Sequence, residues 1–377
     1  MATVVRACMP LPPAAVASSS AAPSTDAQAQ RSPSSSSARV LVLGGTGRVG
    51  GSTATALSKL RPDLNILIAG RNREKGESLA SKLGEESEFV QVDIRDRNML
   101  EEVLQDVDLV VHAAGPFQRE NECTVLQAAI ATKTAYIDVC DDTDYSWRAK
   151  GFHEQAKDCG IPAITTAGIY PGVSNVMAAE LVHAARSENA GEPERLRFFY
   201  YTAGTGGAGP TILTTSFLLL AEDVIAYNKG EEIKLKPYSG ALSIDFGKGE
   251  FLRDRNKVLK LVGFVDPFVR AIDGIAGERV SMRVDLDCSN GKNTIGLFSH
   301  RKLSVSVGYA TAAFVLAVLE GSTQPGVWFP EEPEGVAIES RKVLLERASQ
   351  GTTIFVMNKP SWMIETDPKE VGLGIYV

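Results

Sequence analysis

The stretch Arg39-Val-Leu-Val-Leu-Gly-Gly-Thr-Gly-Arg-Val-Gly50 decides the fold. A short apolar run is followed by glycines with the spacing G-x-G-x-x-G. Glycines allow a tight turn and let the backbone approach a pyrophosphate without a Cβ in the way. A helix that begins there offers N–H groups and a partial positive charge to that anion. This strand–turn–helix context predicts a dinucleotide-binding turn, with contacts from Gly44, Gly45, Thr46, Gly47, Arg48, Val49 and Gly50.

The residues that follow this turn alternate between short apolar runs and longer amphipathic runs. Short runs rich in Val and Ile are typical of strands buried on both faces of a parallel sheet. Their alternation with helices predicts an α/β fold with a Rossmann-type doubly wound parallel sheet. The predicted strands are Arg39–Leu43, Leu64–Ala69, Phe89–Val92, Asp108–His112, Ala135–Val139 and Ile161–Thr166. The predicted helices are Arg48–Leu60, Glu74–Leu83, Arg97–Leu104, Glu120–Thr132 and Tyr145–Lys157.

A second region with a different pattern follows residue 175. It holds strand-like runs such as Leu196–Thr202 and Val280–Asp285, and helix-like runs over Thr211–Tyr227 and Tyr309–Glu320. This mixture predicts an inserted α+β domain. The predicted boundaries are 1–38 for a leader, 39–175 for the nucleotide-binding domain, 176–325 for the insert, and 326–377 for a segment that returns to the first domain.

The composition excludes several classes of protein. The 377 residues carry a net charge of −7 and show no basic stripe, which argues against nucleic acid as a partner. The longest apolar runs, such as Ala310–Leu319, are much shorter than the ~18 residues that a membrane span needs, so no transmembrane segment is predicted. The five cysteines include no C-x-x-C pair, and no metal site is predicted.

The first 38 residues differ in composition from the remainder. They are dominated by Ala, Ser and Pro, with Asp26 as their one acidic residue and Arg6 and Arg31 as their basic residues. Such a leader is typical of an organellar transit peptide, and the scarcity of arginine favours the plastid. The expected location is therefore the chloroplast stroma. A disordered tail without a targeting role is the alternative.

The residues after the second predicted strand indicate which dinucleotide is bound. A site selective for NAD places an acidic residue about twenty positions beyond the glycine turn, where it accepts from the ribose 2′-OH. This place holds Arg71, which is followed by Asn72 and Arg73. A guanidinium can hold a 2′-phosphate bidentately, whereas a carboxylate would repel it. Arg71 and Asn72 are therefore predicted to bind NADP(H), and ordinary surface charge is the alternative for Arg71 and Arg73.

Two further strand ends are predicted to line the cofactor crevice, because ligands of open α/β sheets bind beyond the carboxyl ends of the strands. Asp93, which is followed by Ile94, could accept from an adenine amino group. A turn-forming Asp before the next helix is the alternative. The fourth strand leads into Ala114, Gly115 and Pro116, where small residues leave room for the cofactor ribose.

With these features the sequence resembles the saccharopine dehydrogenase/saccharopine reductase family, as a plant plastid-type member. The resemblance covers residues 39–175 and is weak beyond them. The family often has Gly-Glu where this sequence has Cys140-Asp141-Asp142. The motifs that carry the resemblance are the Gly44–Gly50 turn, Ala69–Arg71, Ala114–Phe117, Tyr136–Asp138, Ala167–Gly172 and the glycine loop Gly204–Gly209.

The resemblance implies an NADP-binding domain that is interrupted by an α+β domain for substrate binding and dimerisation, with the last helices rejoining the first domain. It therefore implies a small-molecule substrate and a homodimer formed through the second domain. It does not identify the substrate, because many members share the fold signatures without an evident preference for saccharopine.

Hydride transfer needs a proton donor close to the reacting carbon. The candidates are Asp138 and Asp141 at the end of the fifth strand, and Tyr170 beyond the sixth. Asp138 could equally cap the next helix, and Tyr170 could be a packing aromatic. Asp142 is a further candidate, and His112 is interpreted as a buried core histidine.

Three functions fit these observations. The first is an NADP(H)-dependent oxidoreductase acting on a small amino-acid-derived carbonyl or imine. The second is a non-catalytic NADP(H)-binding sensor or scaffold. The third is an enoyl-reductase-like enzyme acting on a lipid or isoprenoid, with the apolar stretch Thr211–Ala221 lining its groove. The Tyr-x-x-x-Lys of short-chain dehydrogenases is absent, since Tyr145 is followed by Ala149 at that spacing.

Overall fold

The computed structural model describes residues 8–9, 37–188, 191–204, 210–219, 224–228, 231–235 and 254–366. Within these ranges the chain forms a seven-stranded parallel sheet, a five-stranded antiparallel sheet and a two-stranded hairpin. The predicted α/β class is confirmed, with a Rossmann-type parallel sheet and a second α+β domain.

Strands are numbered in chain order, and the first, β1 (Cys8–Met9), lies outside the parallel sheet. The parallel sheet contains seven strands. They are β2 (Arg39–Leu43), β3 (Asn65–Gly70), β4 (Ser87–Gln91), β5 (Leu109–His112), β6 (Ala135–Asp138), β7 (Pro162–Ile164) and β13 (Gly326–Trp328). Their order across the sheet is β13-β7-β6-β5-β2-β3-β4. The chain winds from β2 to β4 on one side and from β5 to β7 on the other, so the switch point lies between β2 and β5.

Seven helices connect these strands or follow them. They are α1 (Arg48–Leu60), α2 (Arg73–Leu83), α3 (Arg97–Leu104), α4 (Thr124–Thr132), α5 (Thr143–Lys150), α6 (His153–Asp158) and α7 (Val173–Ser187). Three of them begin at side-chain caps, which satisfy a backbone N–H that has no helical partner: Asn72, Asp96 and Asp142. The predicted helix Tyr145–Lys157 is two helices, interrupted at Gly151 and Phe152, since glycine weakens a helix interior.

The antiparallel sheet belongs to the second domain. Its strands are β8 (Pro193–Ala203), β11 (Arg279–Cys288), β12 (Asn293–His300) and β14 (Ile354–Lys359), with β1 at the edge beside β8. The hairpin consists of β9 (Val224–Asn228) and β10 (Glu231–Leu235). The remaining helices are α8 (Pro210–Leu219), α9 (Arg255–Ala276), α10 (Leu303–Leu319) and α11 (Arg341–Ala348). Helix α7 packs against β11, β12 and β14.

The chain returns from the second domain to the first through α10. This helix packs against α1, and Gly308 permits the close approach, because a Cβ there would lie 2.6 Å from the Ser52 carbonyl carbon. Strand β13 then joins the parallel sheet beside β7. Strand β14 pairs with β12, so the segment after residue 325 contributes to both sheets.

Part of the sequence predictions falls outside the described residues. Of the leader 1–38, the structure describes Cys8–Met9, which pairs with Leu196 and Arg197 of β8, and residues 37–38. Most of the glycine loop Gly204–Gly209, at 205–209, and the end of the stretch Thr211–Ala221, at 220–221, lie outside them. Among the described residues, no helix is both long and apolar enough to cross a membrane.

Candidate functional site

A cavity of about 860 Å³ opens at the carboxyl ends of the parallel strands. One wall is formed by the ends of β2 to β6, and the facing wall by residues of α8, α9 and α10. This is the place where an open α/β sheet binds its ligand, because the strand order reverses there between β2 and β5. The cavity is called the cleft below.

The glycine turn after β2 is built by close backbone contacts. Gly44 has a φ of +78°, and a Cβ there would lie 2.6 Å from the Ala113 carbonyl oxygen. A Cβ at Gly50 would lie 2.4 Å from the Gly44 carbonyl oxygen. Both distances are shorter than a real Cβ atom allows. Glycine at these two positions therefore lets the start of α1 and the residues after β5 pack closely against the turn.

The start of α1 faces an anion-binding position. Gly47 donates to the Gly44 carbonyl at 2.8 Å, and the first helical bond runs from the Gly51 N–H to Gly47 at 2.9 Å. No side chain caps this helix. The backbone N–H groups of the first turn therefore have no helical partner, and Arg48 and Val49 line the cleft. The arrangement suits a pyrophosphate.

Arg71 and Asp93 mark the side of the cleft beyond β3 and β4. Arg71 is exposed there, where a 2′-phosphate would lie. Asp93 binds Arg95, with 2.6 Å between the Arg95 Nη2 and Asp93 Oδ2 atoms. The Arg95 guanidinium lowers the pKa of Asp93 to about 2. Arg95 also lines the cleft, so this end presents a second guanidinium that the sequence did not single out.

Most of the predicted cofactor residues meet in the cleft, and three lie behind its wall. Gly45 and Gly50 pack inside the turn, and Asn72 accepts a hydrogen bond from the Lys75 N–H at the start of α2. The predicted residues that line the cleft are Gly44, Thr46, Gly47, Arg48, Val49, Arg71, Asp93, Ile94, Ala114, Gly115 and Pro116.

Asp141 lies at the other end of the cleft, beyond β6, and its carboxyl group lines the cavity. Burial raises its pKa to about 6. Its Oδ1 atom accepts a hydrogen bond of 2.7 Å from the Gln118 side-chain amide. Thr215 of α8 donates to the Gln118 oxygen at 3.2 Å. A polar chain thus runs from the second domain through Gln118 to Asp141, which can exchange a proton near neutral pH.

Tyr170 and His112 also line this end of the cleft. The Tyr170 hydroxyl lies 2.5 Å from the Thr202 hydroxyl, and burial raises the pKa of Tyr170 to about 12. Burial lowers the pKa of His112 to about 3, so its imidazole is neutral. The Nδ1 atom of His112 faces the Ala114 N–H at 3.4 Å. Tyr170 is therefore a neutral hydroxyl group beside Asp141.

Asp138 is fully buried and does not line the cleft. Its carboxylate accepts hydrogen bonds from the backbone N–H groups of Cys140 and Thr166 at 3.0 and 2.8 Å. The hydroxyls of Tyr136 and Thr165 donate to it at 3.0 and 3.1 Å. The structure thus separates Asp138 from Asp141 and Tyr170, and Asp138 joins the two loops that carry them. Asp142 caps α5 by accepting from the Tyr145 N–H at 2.7 Å.

Helix α9 of the second domain contacts the loop that follows β5. Arg255 of α9 lies 2.6 Å from Glu120 and donates to the Pro116 carbonyl at 3.2 Å. Sequence reasoning missed Arg255, Thr215 and Gln118, because their partners lie far away along the chain. Gln118 directly follows the Ala114–Phe117 turn, which was the only available signal. Among the described residues, no group of three or more His, Cys, Asp or Glu side chains could hold a metal ion.

A glycine turn, an uncapped helix start and a guanidinium beyond β3 define a Rossmann-type dinucleotide-binding protein. Residues 40–164 match the family model described as the saccharopine dehydrogenase NADP binding domain. Residues 40–164 therefore form an NADP-binding domain of the saccharopine dehydrogenase type, and the cofactor of this domain is NADP. The close glycine contacts and Arg71 fit that cofactor.

Two relatives match the first part of the chain. A "Putative trans-acting enoyl reductase" of Mycobacterium tuberculosis is 27% identical over 157 residues, which cover 41% of this chain and 37% of that protein. "Carboxyaminopropylagmatine dehydrogenase" of Synechocystis sp. is 26% identical over 152 residues, which cover 38% of this chain and 37% of that protein. The matches therefore span little more than a third of these relatives.

The fold as a whole is similar to a solved structure. Apo saccharopine dehydrogenase (L-Glu forming) from Saccharomyces cerevisiae superposes with a TM-score of 0.58. The match covers 85% of this chain and 99% of that chain at 15% sequence identity. This likeness extends the shared architecture beyond residues 40–164 into the second domain.

Proposed function

We propose that the protein is an NADP(H)-dependent oxidoreductase acting on the carbonyl or imine carbon of a small amino-acid-derived substrate. The observation that carries this proposal is Asp141, a carboxyl group with a pKa of about 6 in a cleft beside the NADP-binding turn. A general acid works best when its pKa lies near the working pH.

The chain's own residues supply binding and proton transfer. NADPH, when bound, supplies the hydride. Protonated Asp141 donates to the oxygen or nitrogen of the reacting group, and Gln118 fixes the orientation of its carboxyl. Tyr170 is held by Thr202 and offers a hydroxyl for orienting the same substrate group. The contact between Arg255 and Glu120 joins the second domain to the loop after β5, which lines this end of the cleft.

The test is oxidation of NADPH at 340 nm with a panel of 2-oxoacids and amines. Asp141→Asn should lower kcat roughly 100-fold or more, the usual contribution of a general acid, and leave NADPH affinity unchanged. In the native protein, reduction should slow as the pH rises above about 6, because Asp141 then loses its proton.

The matched control is Asp144→Asn, an exposed carboxylate on the neighbouring helix α5, which should keep native kcat. Native turnover by Asp141→Asn would remove Asp141 from the reaction. Tight NADPH binding without turnover on any member of the panel would instead favour the non-catalytic sensor.

A second candidate is reduction of an activated carbon–carbon double bond in an apolar substrate. The observation that favours it is the aliphatic lining of the second-domain wall, formed by Ile212, Leu259, Leu303 and Val307. A relative named as an enoyl reductase agrees with this candidate. NADPH oxidation by a 2-enoyl thioester, with none by the oxoacids, would select it.

A further inference from the structure

Helix α9 has two faces of different character. Its inward face holds Val258 and Val262, which are buried and pack against Leu218 of α8. Exposed residues recur along its outward face every three or four positions, the spacing of one stripe along an α-helix. The members of this outward stripe are Lys257, Lys260, Phe264, Pro267 and Phe268.

Two aromatic rings make the outward stripe apolar. Phe264 is 70% exposed and Phe268 is 63% exposed, and their ring centroids lie 5.9 Å apart. Burial of such rings is favourable, since apolar surface gains free energy when it leaves water. Neighbouring exposed rings on one helix face are the kind of apolar surface that interaction sites use.

The charge of the outward stripe is opposite to that of the whole protein. The chain carries a net charge of −7, yet the exposed residues of α9 from Asn256 to Phe268 include two lysines and no acidic residue. Asp266 is buried, and Lys257 lies 3.5 Å from Asp254. Aromatic residues preceded by lysines on one helix face suit the interface of an anionic bilayer, where rings enter the acyl boundary and ammonium groups meet headgroups.

The same helix reaches the mouth of the cleft. Leu259 is 42% exposed and also lines the cleft. Ile212 of α8 and Val307 of α10 continue the apolar surface into the cavity. A molecule that leaves a lipid surface at α9 would therefore meet aliphatic side chains along its way into the cleft.

We propose that the outward stripe of α9 docks the protein on an anionic lipid surface and holds the mouth of the cleft beside the bilayer. Phe264 and Phe268 enter the acyl boundary, while Lys257 and Lys260 contact anionic headgroups. This proposal goes beyond the proposed function and does not depend on turnover.

The test is flotation of the full chain with phosphatidylcholine vesicles that contain or lack phosphatidylglycerol. The native protein should bind the anionic vesicles roughly tenfold more tightly than the neutral ones, because two lysines meet the charged surface. High salt should remove that preference and leave the weaker apolar binding. Fluorescence of bound NADPH, measured in the same samples, reports whether the cofactor site is intact.

Two variants separate the contributions. Phe264→Ser/Phe268→Ser should weaken binding to both kinds of vesicle at least ~10-fold, because the inserted apolar area is lost. Lys257→Gln/Lys260→Gln should remove the preference for anionic vesicles alone. The matched control is Trp362→Ser, which removes an aromatic side chain that is 82% exposed outside α9 and should float like the native protein.

Three results would overturn the proposal. The first is no flotation with either kind of vesicle, and the second is equal flotation of the native protein and the phenylalanine variant. The third is a dimer, detected by light scattering and abolished in the phenylalanine variant, without vesicle binding; it would assign the stripe to contacts between copies. If the native protein bound no NADPH in these samples, that result would contradict the proposed function and would leave the flotation result unaffected.

Discussion

The phosphate end of the cleft, at the glycine turn, is built mainly of backbone. The end at Asp141, where the proposed hydride transfer would take place, is built of side chains from distant elements and is called the nicotinamide end below. At the phosphate end, Gly44 and Gly50 bring three chain segments into contact distances that exclude any side chain. At the nicotinamide end, Thr215 donates to Gln118 and Gln118 donates to Asp141, and 97 residues separate Thr215 from Gln118 along the chain. The two ends therefore place different demands on the sequence.

This contrast indicates at which end of the cleft amino-acid substitutions are tolerated. A turn that excludes every Cβ admits only glycine at its contact points, so its spacing is visible in the sequence. The polar chain Thr215–Gln118–Asp141, called the relay below, should change its proton transfer only slightly on a single substitution, because each hydrogen bond contributes only about 1 kcal/mol. Cofactor binding should therefore fail abruptly on substitution, and proton transfer should respond gradually.

The abrupt response is tested at Gly50. Gly50→Ala should weaken NADPH binding roughly 100-fold, since relief of an overpacked contact costs up to about 3 kcal/mol. The new Cβ would lie 2.4 Å from the Gly44 carbonyl oxygen, so the start of α1 must move off the phosphate position. Fluorescence titration with NADPH measures the loss, and thermal unfolding reports any accompanying change in stability.

The matched control is Gly51→Ala, one residue further along α1. Its Cβ would lie 3.2 Å from the Gly45 carbonyl oxygen, a contact that small shifts relieve. Alanine also favours a helix over glycine by about 1 kcal/mol. Gly51→Ala should bind NADPH within a few-fold of the native protein. Equal losses in both variants would show that the turn does not discriminate by close contact.

A smaller effect is expected at Arg71, where a side chain contributes to the phosphate end. Arg71→Asp should weaken NADPH binding at least ~10-fold and favour NADH relative to NADPH, because a carboxylate repels the 2′-phosphate and accepts from a free 2′-OH. The control is Arg73→Asp, since Arg73 pairs with Glu77 outside the cleft. Unchanged NADPH affinity in Arg71→Asp would contradict the role of Arg71 and would leave Arg95 as the guanidinium that binds the 2′-phosphate.

Local patterns predicted the parallel sheet well. Helices Arg48–Leu60 and Arg97–Leu104 were predicted with the bounds that the structure shows. Strand β13 was missed, because the three residues Gly326–Trp328 carry no periodicity and become a strand only beside β7. Helix α4 begins at Thr124 rather than at Glu120, which lies in a turn and contacts Arg255.

Site prediction followed the same division. The residues of the glycine turn could be found because adjacent backbone positions form the whole feature. Asp138 and Asp141 looked alike in the sequence, since each is a carboxylate at the end of the same strand. The structure separates them: four donors surround Asp138 inside the protein, and Asp141 lines the cleft. Burial and long-range partners decide such roles, and neither leaves a local pattern.

The gradual response is expected at Thr215. Thr215→Val keeps the shape of the side chain and removes the donor that holds the Gln118 oxygen. Hydrogen bonds from Gln118 and Thr215 both lower the pKa of Asp141, which burial raises to about 6. The pH at which reduction is half-maximal should therefore move upward in the variant. The maximal rate should fall about fivefold, the size expected for one hydrogen bond of about 1 kcal/mol, with NADPH affinity unchanged.

Thr214→Val is the matched control for this experiment. Thr214 is the neighbouring buried threonine, and its hydroxyl donates to the Pro210 carbonyl within α8 at 2.9 Å, so it has no contact with the relay. It should keep the native pH profile. If Thr215→Val also keeps that profile, the second domain does not act on the proton donor. The nicotinamide end would then resemble the phosphate end, with its chemistry fixed by the first domain alone.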